Sequence, residues 1–133
     1  MNFKELLKSL EVKIQEAYAE GVTPGNAESL AGEFLYAQML VSAELKKSDL
    51  DSRMRKTGVK ALRSAIYLDI VQKSDKKPTE SHIEATINTD EMVTGEQNAY
   101  DSAEVDKAEL ERYFGIFQNA HIFFRGVAKG KFE

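Results

Sequence analysis

Two histidines, His82 and His121, are the chain's only imidazoles, and it contains no cysteine. Histidine is the side chain that titrates near neutral pH and the commonest metal ligand, so these two positions test for catalysis first. Neither has a glutamate three residues before it, because Thr79 and Gln118 stand there. The Glu-x-x-His motif of carboxylate-bridged metal bundles is therefore missing. His-Glu-x-x-His, the phosphate-cradling Gly-x-x-x-x-Gly-Lys and Gly-x-Gly-x-x-Gly are absent too, as is the Gly-x-Ser-x-Gly nucleophile elbow. Asp101 and Glu104 have helical spacing, but any acidic surface helix offers such a pair. With no thiol there is no disulfide scaffold, thiolate metal site, cysteine-ligated cluster or cysteine nucleophile. His82 is expected to face solvent in the first turn of a short helix, and His121 to be packed and hydrogen-bonded among aromatic residues. The expectation is a protein that is not an enzyme and that needs no metal or cofactor.

Basic residues placed along one segment form the more informative constellation. The chain has 133 residues, 18 of them basic and 22 acidic, a formal net charge of -4. That balance is unlike the simplest nucleic-acid binder, which is basic overall. Residues 46–77, however, hold ten basic side chains against four acidic ones, and residues 80–111 hold ten acidic against the single Lys107. Arg53, Arg55, Lys56, Lys60 and Arg63 form the core of the basic stretch. Lys56, Lys60 and Arg63 share a helix face, being spaced by four and then three residues. Two arrangements follow: the band pairs with the acidic front of the last helix, or it faces outward and binds phosphates. Tyr67, one turn beyond Arg63, could offer a stacking surface or sit in a core or interface.

The elements that must position this band read as helix almost throughout. Phe3, Leu6, Leu7, Leu10, Ile14 and Ala17 mark an amphipathic helix over about 2–20, ended by Gly21. Thr23 and Pro24 suit the cap and first position of a second helix, about 24–73. Its apolar positions Leu30, Phe34, Ala37 and Val41 resume as Leu50 and Met54, then Val59, Leu62, Ile66 and Ile70. Unbroken, it would run about 75 Å, against about 36 Å for a compact globule of this length. It therefore either breaks, at Thr57-Gly58, or projects beyond a self-contained core. Pro78 bars continuation, Thr79 caps a short helix to residue 87, and Asn88 with Glu91 resembles a capping box for a last helix, about 89–127. On a heptad its seam reads Met92, Glu96, Ala99, Ala103, Asp106, Leu110, Tyr113, Phe117, Ala120, Phe124, Val127, of which nine of eleven are apolar.

Five of the twelve aromatic residues, Tyr113, Phe114, Phe117, Phe123 and Phe124, crowd into residues 113–124. They cover more of the helix girth than the ~100° stripe of a single packing face. They make either a thick core with the first two helices or, the favoured expectation, a subunit interface. The fold expected is one all-α domain over 1–133: an elongated helical hairpin or bundle with one very long helix, coiled-coil-like packing and an oligomeric state. No stretch approaches the ~18 apolar residues of a membrane span. Met1-Asn2-Phe3-Lys4-Glu5 mixes both charges, unlike a secretory signal, so a cytoplasmic location (that of the host cell, for a phage product) is expected.

The order of these features resembles the phage recombination mediators of the UvsY type. The residues that carry the resemblance are Leu30-x-x-x-Phe34-Leu35-Tyr36 on the long helix, Arg53-Met54-Arg55-Lys56, Val59-Lys60-Ala61-Leu62-Arg63 and Ala65-Ile66-Tyr67-Leu68-Asp69. An acidic helix and a closing Phe124-Arg125-Gly126-Val127-Ala128-Lys129 follow. The resemblance covers nearly the whole chain in architecture, and the family's basic pair would fall on Lys60 and Arg63, here spaced by three. It implies a small helical homo-oligomer that binds single-stranded DNA and helps load a RecA-like recombinase onto strands covered by single-strand-binding protein. The alternative expectation is a structural or adaptor oligomer, such as a virion or assembly component, that does not bind nucleic acid.

Overall fold

The computed structural model describes residues 2–130, and all four of its elements are helices: α1 (Phe3–Glu20), α2 (Pro24–Lys73), α3 (Glu80–Asn88) and α4 (Glu91–Ala128). Local chemistry sets their ends. Asn2 accepts the Glu5 amide at 2.9 Å while the Glu5 carboxylate accepts the Asn2 amide at 3.4 Å, a reciprocal cap that satisfies two donors left over at the start of α1. Gly21 closes α1 at φ 96, a left-handed conformation that a Cβ would strain. Pro24 occupies the first position of α2, where its missing N–H costs nothing. There Asn26 reaches back to accept the Thr23 amide at 2.9 Å.

α2 is the one very long helix expected over about 24–73: it runs 50 residues, and of the two alternatives it takes the unbroken one, with no interruption at Thr57-Gly58. Gly58 is an ordinary helical position whose ideal Cβ would meet nothing within 4 Å. The start of α4 also differs from the expectation. Asn88 is the last residue of α3, and the cap of α4 is Asp90, whose carboxylate accepts the amides of Met92 at 2.9 Å and Val93 at 3.1 Å. A carboxylate is the better acceptor at the positive end of a helix, and it shifts the start by two residues.

The chain divides into two compact units, Met1–Lys46 with Ala108–Glu133, and Lys47–Lys107. In the first, α1, the front of α2 and the back of α4 enclose Leu7, Ile14, Phe34, Val41, Tyr113, Phe117 and Phe124. Phe34 stacks tilted against Phe117 and Phe124 at centroid distances of 5.8 and 5.6 Å. Tyr113, Phe117 and Phe124 are thus buried by the chain itself, and Phe114 and Phe123 pack partly buried against the same core. For Tyr113, Phe117 and Phe124 this is the thick core with the first two helices, in which α1 and α2 supply the second and third covering faces that so broad an aromatic girth requires.

In the second unit, Ile83 and Ile87 of α3 and Val93 of α4 pack against Leu62, Ile66, Tyr67, Ile70 and Val71 of α2. Leu50 and Met54 are not in this core, being 60% and 65% exposed; the inward positions there belong to Ser52 and Val59. The seam on α4 is displaced in the same unit. Val93 is buried and Met92 exposed, Gln97 lies further in than Glu96, and Lys107 further in than Asp106. From Leu110 to Phe124 the expected seam and the observed one coincide.

Two stability outcomes follow. Phe117→Ala empties the centre of the aromatic core and should cost about 3–5 kcal/mol in chemical denaturation. Gly58→Ala, at an open site inside a continuous helix, should raise stability by about 0.5–1 kcal/mol. A neutral or destabilising Gly58→Ala would mean that the helix bends there.

Candidate nucleic-acid interface

All five residues of the basic band lie on α2 within the second unit, and the helix divides them. At about 100° per residue, Arg53, Lys56 and Lys60 fall within about 60° of one another, whereas Arg55 sits about 140° round from Lys60. Arg55 accordingly pairs on its own side with Asp51, Nε to Oδ2 at 3.1 Å.

Arg63 is taken up by α3. Its Nη2 donates to the Glu84 carboxylate at 3.3 Å and to the Asn88 side-chain oxygen at 2.9 Å. Tyr67, a turn further on, packs against the unit's core and donates its hydroxyl to Glu80 at 3.0 Å. Lys77 reaches the same carboxylate at 3.1 Å and lies 6.0 Å from the centre of the Tyr67 ring. Lys77, with Tyr67 second, holds the Glu80 carboxyl below its usual value, and Glu80 in return raises Lys77. Tyr67 is thus a clamp between α2 and α3, not an open stacking platform.

What remains open is the flank of Arg53, Lys56 and Lys60, all three exposed. The Arg53 side chain is 77% exposed and touches Asp49 at 3.0 Å. Lys56 and Lys60 have no ion pair among the described residues. The acidic front of α4 does not pair with this flank. One ion pair between α2 and α4 in this unit has its acid on α2 and its base on α4: Asp49 with Lys107 at 2.9 Å. One helical turn on, the buried Ser52 hydroxyl donates to Glu104. The hydrogen bond from Lys107, with Arg53 adding to it, holds the Asp49 carboxyl below its ordinary value against the opposing effect of burial. The spacing of residues points to Asn88 as a helix cap and not as a partner of Arg63, and it gives no signal for Asp49 beyond an acid that could meet the single Lys107 of the acidic stretch.

The imidazoles take no part in the flank. His121 places Nδ1 2.9 Å from the Ala31 carbonyl, tying α4 to α2 in the first unit, and His82 is exposed at the start of α3. Among the described residues no group of three or more His, Asp or Glu side chains is placed to hold a metal ion. None of the described helices is long and apolar enough to cross a membrane.

Because the folded-state pKa of Asp49 lies below its unfolded value, its ion pair contributes stability at neutral pH that is lost as pH falls through the folded value. Thermal melts should therefore show a loss of Tm between about pH 5 and pH 3 that is shallower in Asp49→Asn than in the parent. Equal slopes would show that Asp49 carries none of the acid sensitivity.

Compared with protein-family models, with curated proteins and with solved structures, the chain matches none.

Proposed function

We propose that this chain is a non-enzymatic, self-associating helical protein that binds the backbone of single-stranded DNA along the Arg53–Lys56–Lys60 flank of α2. On the resemblance to recombination mediators of the UvsY type, it helps load a RecA-like recombinase onto strands covered by single-strand-binding protein. The observation that carries the DNA-binding reading is the flank itself: three exposed cations on one side of a helix, of which Arg53 touches Asp49 while Lys56 and Lys60 have no ion pair among the described residues. Phosphate contacts of this kind are indifferent to base sequence and weaken with salt, because each neutralised phosphate releases a counterion. The open flank has no exposed aromatic ring, so holding the strand rests on charge more than on stacking.

The alternative, an assembly or adaptor protein, requires the same lysines to be consumed by a neighbour's acidic helix. Lys56→Glu with Lys60→Glu separates the two. Fluorescence anisotropy with a labelled single strand at about 50 mM salt should show affinity reduced tenfold or more, while the assembled mass is unchanged. Arg55→Glu, on the other side of the helix, should bind nearly as the parent does. No binding by the parent at that salt, or full binding by the double variant, would overturn the proposal. Lost assembly in the double variant would favour the adaptor.

A further inference from the structure

On the side of α2 turned away from α3 and α4, the second unit exposes Leu50, Met54, Thr57, Ala61, Ser64 and Leu68. The three large residues among them are 60%, 65% and 55% exposed. They recur at alternating steps of four and three residues, the a/d register of a paired helix. The centre of this row lies about 180° round the helix from Val59, which is buried against the unit's own partners. α2 thus carries two helix-packing rows back to back, and the chain covers one of them. The uncovered row is some 27 Å long and carries no charge, unlike the ordinary scatter of single exposed apolar residues.

We infer that this row is a self-association seam, and that its occupant is the same row of a second copy running parallel and in register. The inference rests on the self-association part of the proposed function and moves the interface from the aromatic cluster to α2. The charges on the two edges of the row set the direction. Arg53 and Lys60 line one edge; Asp51, Gly58 and Ala65 line the other. An antiparallel pair would set basic edge on basic edge, with Lys60 beside the partner's Lys60. A parallel pair sets each basic edge against the other copy's edge, which holds one acid and no base. The sizes agree with the parallel arrangement. In register, Leu50, Met54 and Leu68 each meet their own kind at the two ends, while Thr57, Ala61 and Ser64 meet in the middle and let the backbones approach. Lys56 stays outside the seam on both copies, so pairing leaves phosphate-binding cations on either side of the dimer.

The experiment uses the full chain at about 50 μM, where even a modest helix–helix association is populated. Light scattering of the parent should give a multiple of the 14.9 kDa protomer, and Leu50→Glu with Met54→Glu should lower it with helical circular dichroism retained. Because the chain has no cysteine, Thr57→Cys is a clean reporter. At a d position of a parallel in-register pair the two identical residues lie within disulfide reach, so mild oxidation should yield a covalent dimer. A monomeric parent, a mass unchanged in the Glu variants, or an assembled Thr57→Cys variant that fails to cross-link would each overturn the inference; the last would point to a heterologous or antiparallel neighbour. Anisotropy on the same samples reads DNA binding separately, so a parent that cross-links but does not bind a single strand removes the DNA reading alone.

Discussion

The register of α2 governs the rest of the structure. A helix that keeps its i to i−4 hydrogen bonds for 50 residues cannot choose, residue by residue, which side faces its partners; the 3.6-residue turn chooses for it. In the second unit that register turns Ser52, Val59, Leu62 and Ile66 toward α3 and α4. It turns Leu50, Met54 and Leu68 away. Within one turn Ser52 is buried and Leu50 exposed, because moving either would require breaking the helix. The energetic consequence is lopsided: the first unit has a stacked aromatic core, while in the second a small aliphatic cluster that includes Val93 of α4 is joined to α2 by a serine–glutamate bond and an ion pair.

Those polar contacts act more on specificity than on stability. An ion pair that solvent reaches, as it reaches Asp49 with Lys107, adds little net stability, because water screens the charges and two side chains must be held in place. A buried hydroxyl without a partner is costly, however, so Ser52 admits only alignments that bring Glu104 opposite it. No buried side-chain nitrogen or oxygen among the described residues lacks a hydrogen bond. With Asp49 and Lys107 set one turn away, the pair fixes how far α2 and α4 slide along each other. A purely apolar stretch would leave that offset loose.

Much of this was legible in the sequence where residue type and periodicity agree. Phe34, Ala37 and Val41 on α2, and Tyr113, Phe117 and Phe124 on α4, read as inward-facing and are so. Legibility fails where the inward residue is polar. Placing Leu50 and Met54 inside assumed that apolar means buried, and setting Met92 and Asp106 on the seam of α4 made the same error by one residue. The true neighbours, Val93 and Lys107, are fixed by the Asp90 cap and by Asp49, interactions between segments that no periodicity within one helix encodes. The basic band read correctly as a feature of composition. Its division into an open flank, a lone Arg55 and a captured Arg63 depends on where α3 lies. That placement comes from Ile83 and Ile87 packing on α2.

The acidic total of the chain is then no obstacle to the proposed flank, because what a phosphate feels is local. Screening at physiological salt limits an exposed charge to about 8 Å, so distant carboxylates hardly weaken Lys56 and Lys60. Near ones do: Glu80 and Glu84 neutralise Lys77 and Arg63, which ends the open band at Lys60. Two or three free cations on one protomer form a weak, salt-sensitive site, since each phosphate contact in a single strand adds only about 0.7 to the salt exponent. Useful affinity has to come from repetition, in which a second flank on a joined copy meets the same strand at high effective concentration. On the proposed reading, the uncharged row on the neighbouring face of α2 joins such copies without occupying Lys56, so that the proposed assembly and the proposed strand binding are two uses of one helix.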